Sequence, residues 1–308
     1  MSRAQRHALD AMLRAAPAPD GPQTVDQLRT GFAAMMAAFA VPAGVRQTAT
    51  ELGGVPAVLV EPEAQAAGGT GGAILYFHGG SFVVGSPRTA MALTAHLVLR
   101  TGTRAISLDY RLAPDHPFPA AIEDGLAAYR ALLDDGTPPG SIAFAGDSAG
   151  GGLTVTTCLA ARDAGLPMPA AIVAFSPGLD HTRSGASMTT RNGLDPYFTP
   201  ESFDRTGPLY VGGADAEQPL LAPAVHADLR GLPPMLLQVG THELLLDDSV
   251  RLARRAVDAD VDVVLDVTAG VPHVFPSFAG TLEEADQALD RAALFLRQHL
   301  EPPVGALH

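Results

Sequence analysis

The segment G-D-S-A-G at residues 146–150 constrains the fold of this chain more than any other feature. It lies between an apolar run over 141–145, which predicts a short buried strand, and residues 151–161, which predict the start of a helix. A strand that enters a helix through G-x-S-x-G needs a sharp turn at the serine, and the glycines leave room for it. Such a turn lifts the Ser148 hydroxyl out of the sheet. In a chain with 32 glycines the pattern alone is weak, so partner motifs must support it.

Three other predicted strands also end in polar residues, and together they supply the partners that an activated serine needs. Sites in open α/β sheets gather at the carboxyl ends of the strands, so these residues are expected to meet there. Serine, then acid, then histidine is the chain order of the catalytic residues in α/β-hydrolases. The segments are 73–77 leading into H-G-G-S-F at 78–82, 234–239 leading into Glu243, and 261–267 leading into His273.

Composition bounds the class of protein. A length of 308 residues suits one large α/β domain, or one domain with a small appended cap, and 47% hydrophobic with 17% charged residues supports an ample core. The single cysteine, Cys158, excludes an internal disulfide and a multi-cysteine metal site. All 20 basic residues are Arg, which excludes lysine chemistry such as a Schiff base, and the net charge of −13 argues against nucleic acid or anionic membranes as partners. A polar N-terminus and no run of 18 apolar residues predict a soluble, cytoplasmic protein.

Predicted strands and helices alternate from residue 73 onward, which implies a mainly parallel sheet with helices on both faces. Two segments depart from this alternation. Residues 1–45 contain two predicted helices around a Pro- and Gly-rich break, and residues 180–230 show an irregular, partly helical pattern with no clear strand. The predicted strands are 45–51, 55–60, 73–77, 141–145, 234–239 and 261–267, and the predicted helices are 87–100, 119–133, 151–163, 245–256 and 282–299.

The candidate catalytic residues are Ser148 as nucleophile and His273 as its base, since this histidine follows a strand within a Gly- and Pro-containing loop. Glu243 is favoured as the acid because it directly follows a strand and a Gly turn. Asp247 and Asp248 compete with it, one helical turn later.

A tetrahedral oxyanion needs two or three N–H donors. Ala149, just after the nucleophile, is expected to supply one, and Gly79 and Gly80 the others, with the N–H of Ser81 as a replacement for one glycine. We expect His78 to order this loop through hydrogen bonds, and Asp147 to order the turn around the serine.

The chain resembles the hormone-sensitive-lipase-like branch of the α/β-hydrolases, its bacterial esterases most of all. The resemblance runs from about residue 75 to 275 and rests on H-G-G with Phe82, on D-Y-R-L-A-P within 109–120, and on G-D-S-A-G. Ser81 replaces the family's third glycine, and Glu243 stands where the family has Asp, with the family's second Asp four residues on. The resemblance implies an α/β-hydrolase domain, a central parallel sheet with helices on both faces (46–179 and 231–308), capped by helices 1–45 and a lid at 180–230.

The expected function is that of a serine carboxylesterase, without metal or cofactor, whose partner is a small-molecule ester. An apolar wall would favour short-chain acyl or small aromatic esters; it is formed by Phe82, Tyr197, Phe198 and Phe275. The nearest alternative is a lactone hydrolase, which opens cyclic esters such as terpene-derived lactones. An amidase would use the same residues and is a less favoured alternative. A non-catalytic ligand-binding protein on this fold is expected to lack the catalytic histidine. We expect no nucleic acid partner and no stable membrane association, and a homodimer stays open.

Overall fold

The computed structural model describes residues 2–15, 21, 23–64 and 72–300, and its centre is one eight-stranded sheet. Short apolar runs without alternation form the middle strands, as expected where both faces of a sheet are covered. The strands are β1 (Val45–Leu52), β2 (Val55–Pro62), β3 (Ala73–Phe77), β4 (Arg104–Leu108), β5 (Ile142–Asp147), β6 (Ala171–Phe175), β7 (Met235–His242) and β8 (Val263–Pro272).

Helices precede, separate and follow the strands, and some of their ends carry the usual sequence signals. Thr24 forms a capping box with Gln27 at the start of the helix Val25–Met36, and Gly102 in the left-handed conformation ends the helix Met91–Thr101. The helices are α1 (Ser2–Arg14), α2 (Val25–Met36), α3 (Met91–Thr101), α4 (Ala120–Asp134), α5 (Ala149–Asp163), α6 (Ser187–Thr190), α7 (Pro200–Val211), α8 (Pro223–His226), α9 (Leu246–Asp258) and α10 (Glu283–His299), with 3₁₀ turns at Pro139–Ser141 and Phe275–Phe278.

The strand order across the sheet is β1-β2-β4-β3-β5-β6-β7-β8. The pairs β1–β2 and β2–β4 are antiparallel, and every later pair is parallel. The predicted α/β-hydrolase fold with a mainly parallel sheet is therefore confirmed. The strands β4 and β6 have no counterpart with stated bounds among the predicted strands. Each has only five residues and is almost wholly buried, so neither shows the alternation that marks a half-exposed strand.

The core has two layers, one on each face of the sheet. Successive side chains of β3 point to opposite faces, so Phe77 joins the larger cluster with Phe144, whereas Tyr76 joins the other cluster with Phe175. All five residues of β3 are fully buried. This two-sided burial holds the carboxyl ends of the middle strands at one edge, where the loops that carry the candidate residues emerge.

The segments predicted as a cap consist of helices and loops. Residues 180–230 contribute α6, α7 and α8 and no strand to the sheet. The N-terminal helices α1 and α2 precede β1, and Arg14 at the end of α1 donates hydrogen bonds to the carbonyls of Gly193 and Leu194, at 3.1 and 2.8 Å. In the described ranges no helix is both long enough and apolar enough to span a bilayer.

Candidate active site

Ser148 lies in the sharp turn between β5 and α5. Its φ of 54° falls in the left-handed region, which is strained for a side chain with a Cβ. Its N–H donates to the carbonyl of Phe175 at 2.8 Å. A Cβ at Gly150 would lie 2.0 Å from the carbonyl oxygen of Phe77, so only glycine fits where β3 approaches the turn. The close approach of β3 explains why position 150 needs glycine. The hydrogen bond to Phe175 of β6 holds Ser148 in its strained conformation.

His273 connects the serine to a carboxylate. It directly follows β8, and its Nε2 lies 2.9 Å from Ser148 Oγ. Its Nδ1 lies 2.9 Å from Oε2 of Glu243, which directly follows β7. Both partners of the imidazole are within hydrogen-bond distance, so the histidine can take the serine proton while the carboxylate fixes its tautomer. The structure brings these three sequence-predicted residues together.

Glu243 is held by a residue that the sequence analysis missed. The carboxylate is fully buried, and its Oε1 accepts hydrogen bonds from the Gly240 N–H and from Ser176 Oγ, the latter at 2.8 Å. The same hydroxyl accepts the Val274 N–H at 2.9 Å. Ser176 therefore ties the acid to the residue that follows His273. Ser176 directly follows β6. A prediction of that strand would have placed Ser176 at the edge of the sheet where the other candidate residues lie.

The rival acids Asp247 and Asp248 face away from the histidine. Asp247 accepts the Ser187 N–H at 2.9 Å. Asp248 accepts the N–H groups of Leu179 and Asp180 at 2.7 and 3.0 Å. Both carboxylates therefore attach the start of the 180–230 segment to α9. Among the three candidates, the one whose carboxylate hydrogen bonds to His273 is Glu243.

Two opposing effects set the pKa of His273. Burial disfavours the imidazolium, but the hydrogen bond and charge of Glu243 favour it, with help from the charges of Asp195 and Asp147, and the net result is a raised pKa. A base with a raised pKa accepts the serine proton more readily. Activity must then fall when the pH drops below that pKa.

The glycine loop after β3 approaches the serine, but its N–H groups are not equivalent. The Gly79 backbone lies beside the Asp147 carboxylate and favours its charged form, and a Cβ at Gly79 would lie 2.2 Å from Asp147 Oδ2. In the described part of the chain, the N–H groups of Gly80, Ser81 and Ala149 have no acceptor. The proximity of Asp147 to Gly79 favours Gly80, Ser81 and Ala149 as the oxyanion donors, and the role expected of Gly79 stays a prediction.

Asp147 links the serine turn to that loop. It also accepts a hydrogen bond from the Tyr76 hydroxyl at 2.8 Å. Burial raises the pKa of Asp147 to about 6, although the hydrogen bond from Tyr76 and the nearby Gly79 backbone favour its charged form. Its carboxylate contacts the loop and Tyr76, and makes no hydrogen bond to His273.

His78 is a buried, neutral ring that supports the loop. Burial lowers its pKa to about 4. Its Nδ1 lies 2.8 Å from the Gly79 carbonyl, and its ring stacks on Tyr110 with centroids 4.1 Å apart. The Tyr110 hydroxyl donates to the His78 carbonyl at 2.7 Å. Tyr110 belongs to the 109–120 segment, so this segment packs beneath the loop.

The four aromatic residues expected to line a substrate pocket have different surroundings. Phe198 lies edge-on to the His273 ring, 5.1 Å between centroids. Phe82 stacks on Tyr210 at 3.7 Å, and Tyr197 is partly buried. Phe275 is fully buried in a separate cluster under α1, so no surface is left for substrate and its assignment to the pocket wall is wrong.

The arrangement suits acyl transfer by a serine nucleophile. A Ser–His–Glu chain, with its histidine and glutamate buried, lies beside unpaired backbone donors, which is what formation of an acyl-enzyme requires. Among the residues that the structure describes, no three His, Cys, Asp or Glu side chains cluster in a way that could hold a metal ion.

Comparisons with known proteins agree with this geometry. Residues 74–277 match a family model described as alpha/beta hydrolase fold. An acetyl-hydrolase from Streptomyces hygroscopicus is 43% identical over 227 residues, which span 74% of this chain and 76% of that protein. A crystal structure of an esterase from the bacterial hormone-sensitive lipase family is 40% identical with a TM-score of 0.90, over 96% of this chain and 98% of the other. A crystal structure of EstE5 soaked with p-nitrophenyl butyrate is 39% identical with a TM-score of 0.90, over the same shares. This chain belongs to the α/β-hydrolases, in their bacterial hormone-sensitive-lipase branch.

Proposed function

We propose that this protein is a serine carboxylesterase that works through an acyl-enzyme intermediate. The observation that carries the proposal is the continuous chain from Ser148 Oγ through His273 to Glu243, with both distances at 2.9 Å. The relatives named acetyl-hydrolase and esterase support the same reaction class.

The proposed reaction begins when His273 Nε2 takes the Ser148 proton as Oγ attacks the ester carbonyl carbon. The negative charge that develops on the carbonyl oxygen is stabilised by the N–H groups of Ala149, Gly80 and Ser81. The imidazolium then donates its proton to the alkoxide leaving group, and the C–O bond breaks. Water repeats the sequence on the acyl-enzyme, releasing the acid and restoring the serine.

We further propose that helices 1–45 and the segment 180–230 together form a cap that favours short acyl groups. The hydrogen bonds from Arg14 to the 193–194 carbonyls support a joint cap. Phe198 beside His273, and Phe82 stacked on Tyr210 of α7, supply apolar surface near the serine and the loop. Enclosed apolar pockets limit ligand size, so the activity optimum is expected at about two to six acyl carbons.

The test is a hydrolysis series of p-nitrophenyl esters from acetate to palmitate, with five- and six-membered lactones alongside. Ser148→Ala protein serves as the control for background hydrolysis. A maximum among the short esters that disappears in the control supports the proposal. Faster turnover of palmitate than of butyrate overturns the chain-length preference, whereas faster turnover of lactones reassigns the enzyme as a lactone hydrolase.

The substrate is proposed to be the only required partner, and the cytoplasm the site of action. In support, the single cysteine is buried, so the fold does not depend on an oxidising compartment. Activity of protein purified without added metal or cofactor, and fractionation of the source cells, test these two statements.

A further inference from the structure

We infer that Asp195 is a positioning residue for the catalytic acid and base: its carboxylate holds the backbone next to Glu243 and the aromatic ring beside His273. Asp195 lies in the 180–230 segment, outside every motif of the sequence. The inference rests on the proposed esterase mechanism and adds a residue to it.

The Asp195 carboxylate is buried, 6% exposed, and accepts three backbone hydrogen bonds. Its Oδ2 accepts the Leu244 N–H at 2.9 Å. Its Oδ1 accepts the N–H groups of Tyr197 and Phe198 at 2.8 and 3.0 Å. Each oxygen serves a different part of the chain, so one side chain joins the segment 195–198 to the loop after β7.

Both ends of this connection contact the proposed triad. Leu244 directly follows Glu243, so the bond to its N–H restrains the peptide that carries the acid. Phe198 lies edge-on to His273 and limits the motion of its ring. A second bond restrains the same point, because Ser187 Oγ donates to the Leu244 carbonyl at 2.6 Å. Small displacements of a catalytic group cost large factors in rate, so loss of these restraints is expected to lower kcat.

The charge of Asp195 gives it an effect on His273 that a neutral acceptor would lack. Three carboxylates act on the imidazole and favour its protonated form: Glu243, Asp195 and Asp147. On its other side, Asp195 faces Tyr197 and Arg14 of α1, whose guanidinium forms its own ion pair with Asp10 at 2.9 Å. Removal of the Asp195 charge therefore lowers the pKa of His273, which a purely structural role would not do.

The experiment compares Asp195→Asn and Asp195→Ala with Asp215→Asn. Asp215 is a matched control, because it lies in the same segment and its carboxylate accepts a backbone N–H, that of Glu217 at 3.0 Å, yet it is exposed and touches neither Glu243 nor His273. Asparagine keeps the size of the side chain but offers one acceptor oxygen and no charge. The measurements are kcat and KM across pH on p-nitrophenyl butyrate, together with the melting temperature.

We expect Asp195→Ala to lose about 10²-fold in kcat, since the acid and base are no longer restrained, with a smaller change in KM. Asp195→Asn should lose less and shift the acidic limb of kcat/KM to lower pH. Asp215→Asn should match the parent enzyme in every measurement. If the alanine variant does not fold, the asparagine variant carries the test alone.

An unchanged acidic limb in Asp195→Asn, or a kcat within twofold of the parent in a folded variant, overturns the inference. Labelling with a fluorophosphonate separates this failure from failure of the proposed function. If the parent enzyme is labelled at Ser148 and hydrolyses esters, the triad stands, and only the role of Asp195 is rejected.

Discussion

Ser176 and Glu243, buried at the ends of the neighbouring strands β6 and β7, are joined by a hydrogen bond of 2.8 Å between Oγ and Oε1. The Ser176 backbone has a φ of 47°, in the left-handed region, and its N–H donates to Gln238 of β7 at 2.7 Å. Its hydroxyl also accepts the Val274 N–H. The hydrogen bonds that Glu243 accepts from Ser176 and Gly240 both go to Oε1, so Oε2 is left to bond with His273.

Ser176→Ala is expected to weaken both stability and catalysis. The change removes a donor to Glu243 and leaves the Val274 N–H without its acceptor, a loss of about 1–3 kcal/mol in the free energy of unfolding. Urea denaturation and kcat are the measurements. Ser249→Ala is the control, because Ser249 is also fully buried but its hydroxyl has no partner among the described residues. Equal effects of the two substitutions would show that the bond to the acid has no special importance.

Ser148→Ala should lower kcat by about 10⁴–10⁶-fold, as for other activated serines, because the covalent step is lost. The fold should persist, since the hydrogen bond of the serine hydroxyl is to His273 of the proposed triad. Circular dichroism checks the fold, and mass spectrometry after phosphonate treatment locates the adduct. An adduct on a different residue in inactivated enzyme would refute the assignment.

Glu243→Gln should cost about 10⁴-fold in kcat, because the imidazole loses both its fixed tautomer and the charge that stabilises its cation. Asp247→Asn should retain most of the activity, since Asp247 bonds to Ser187 and not to His273. Measuring kcat of both variants side by side decides the matter. A dead Asp247→Asn enzyme with an active Glu243→Gln enzyme would move the acid to Asp247.

The pH profile of kcat/KM should show an acidic limb with its midpoint above 6.5, the ordinary pKa of histidine, because the pKa of His273 is raised. The base must be neutral, so activity is lost as the pH falls through that pKa. The raised pKa of His273 also stabilises the folded protein. This contribution is fully present below pH 6.5 and disappears as the pH rises through the pKa of His273 in the folded state. A midpoint below 6.5 in the parent enzyme would contradict this prediction.

Asp248→Asn should change how stability depends on pH. Burial raises the pKa of Asp248 from 3.8 to about 7, although the charge of Arg183 and two backbone donors oppose the rise. The folded state therefore binds this proton more tightly, and the stabilisation is lost as the pH climbs from 3.8 to about 7. As the pH rises from 3.8 to about 7, the melting temperature of the variant should therefore increase relative to that of the parent enzyme. Asp258→Asn, an exposed carboxylate in the same helix, should show no such gain.

The fold class and the reaction type of the candidate site could both be predicted from the order of the amino acids. Local patterns carry this information, because a strand, a tight glycine turn and a helix are specified by neighbouring residues. Ser148, Glu243 and His273 were predicted in this way, each one residue beyond a strand in the structure. Even the choice of Glu243 over Asp247 followed from its place directly after a strand.

Which groups face one another could not be predicted in this way, because contacts between residues far apart in the chain leave no local pattern. Ser176 and Asp195 reach the acid from 67 residues and 49 residues away, the latter through the Leu244 N–H. Gly79 lies against the Asp147 carboxylate, and Phe275 is enclosed by a helix from the start of the chain. These outcomes depend on how strands and helices pack against each other, and so on the whole fold rather than on any segment.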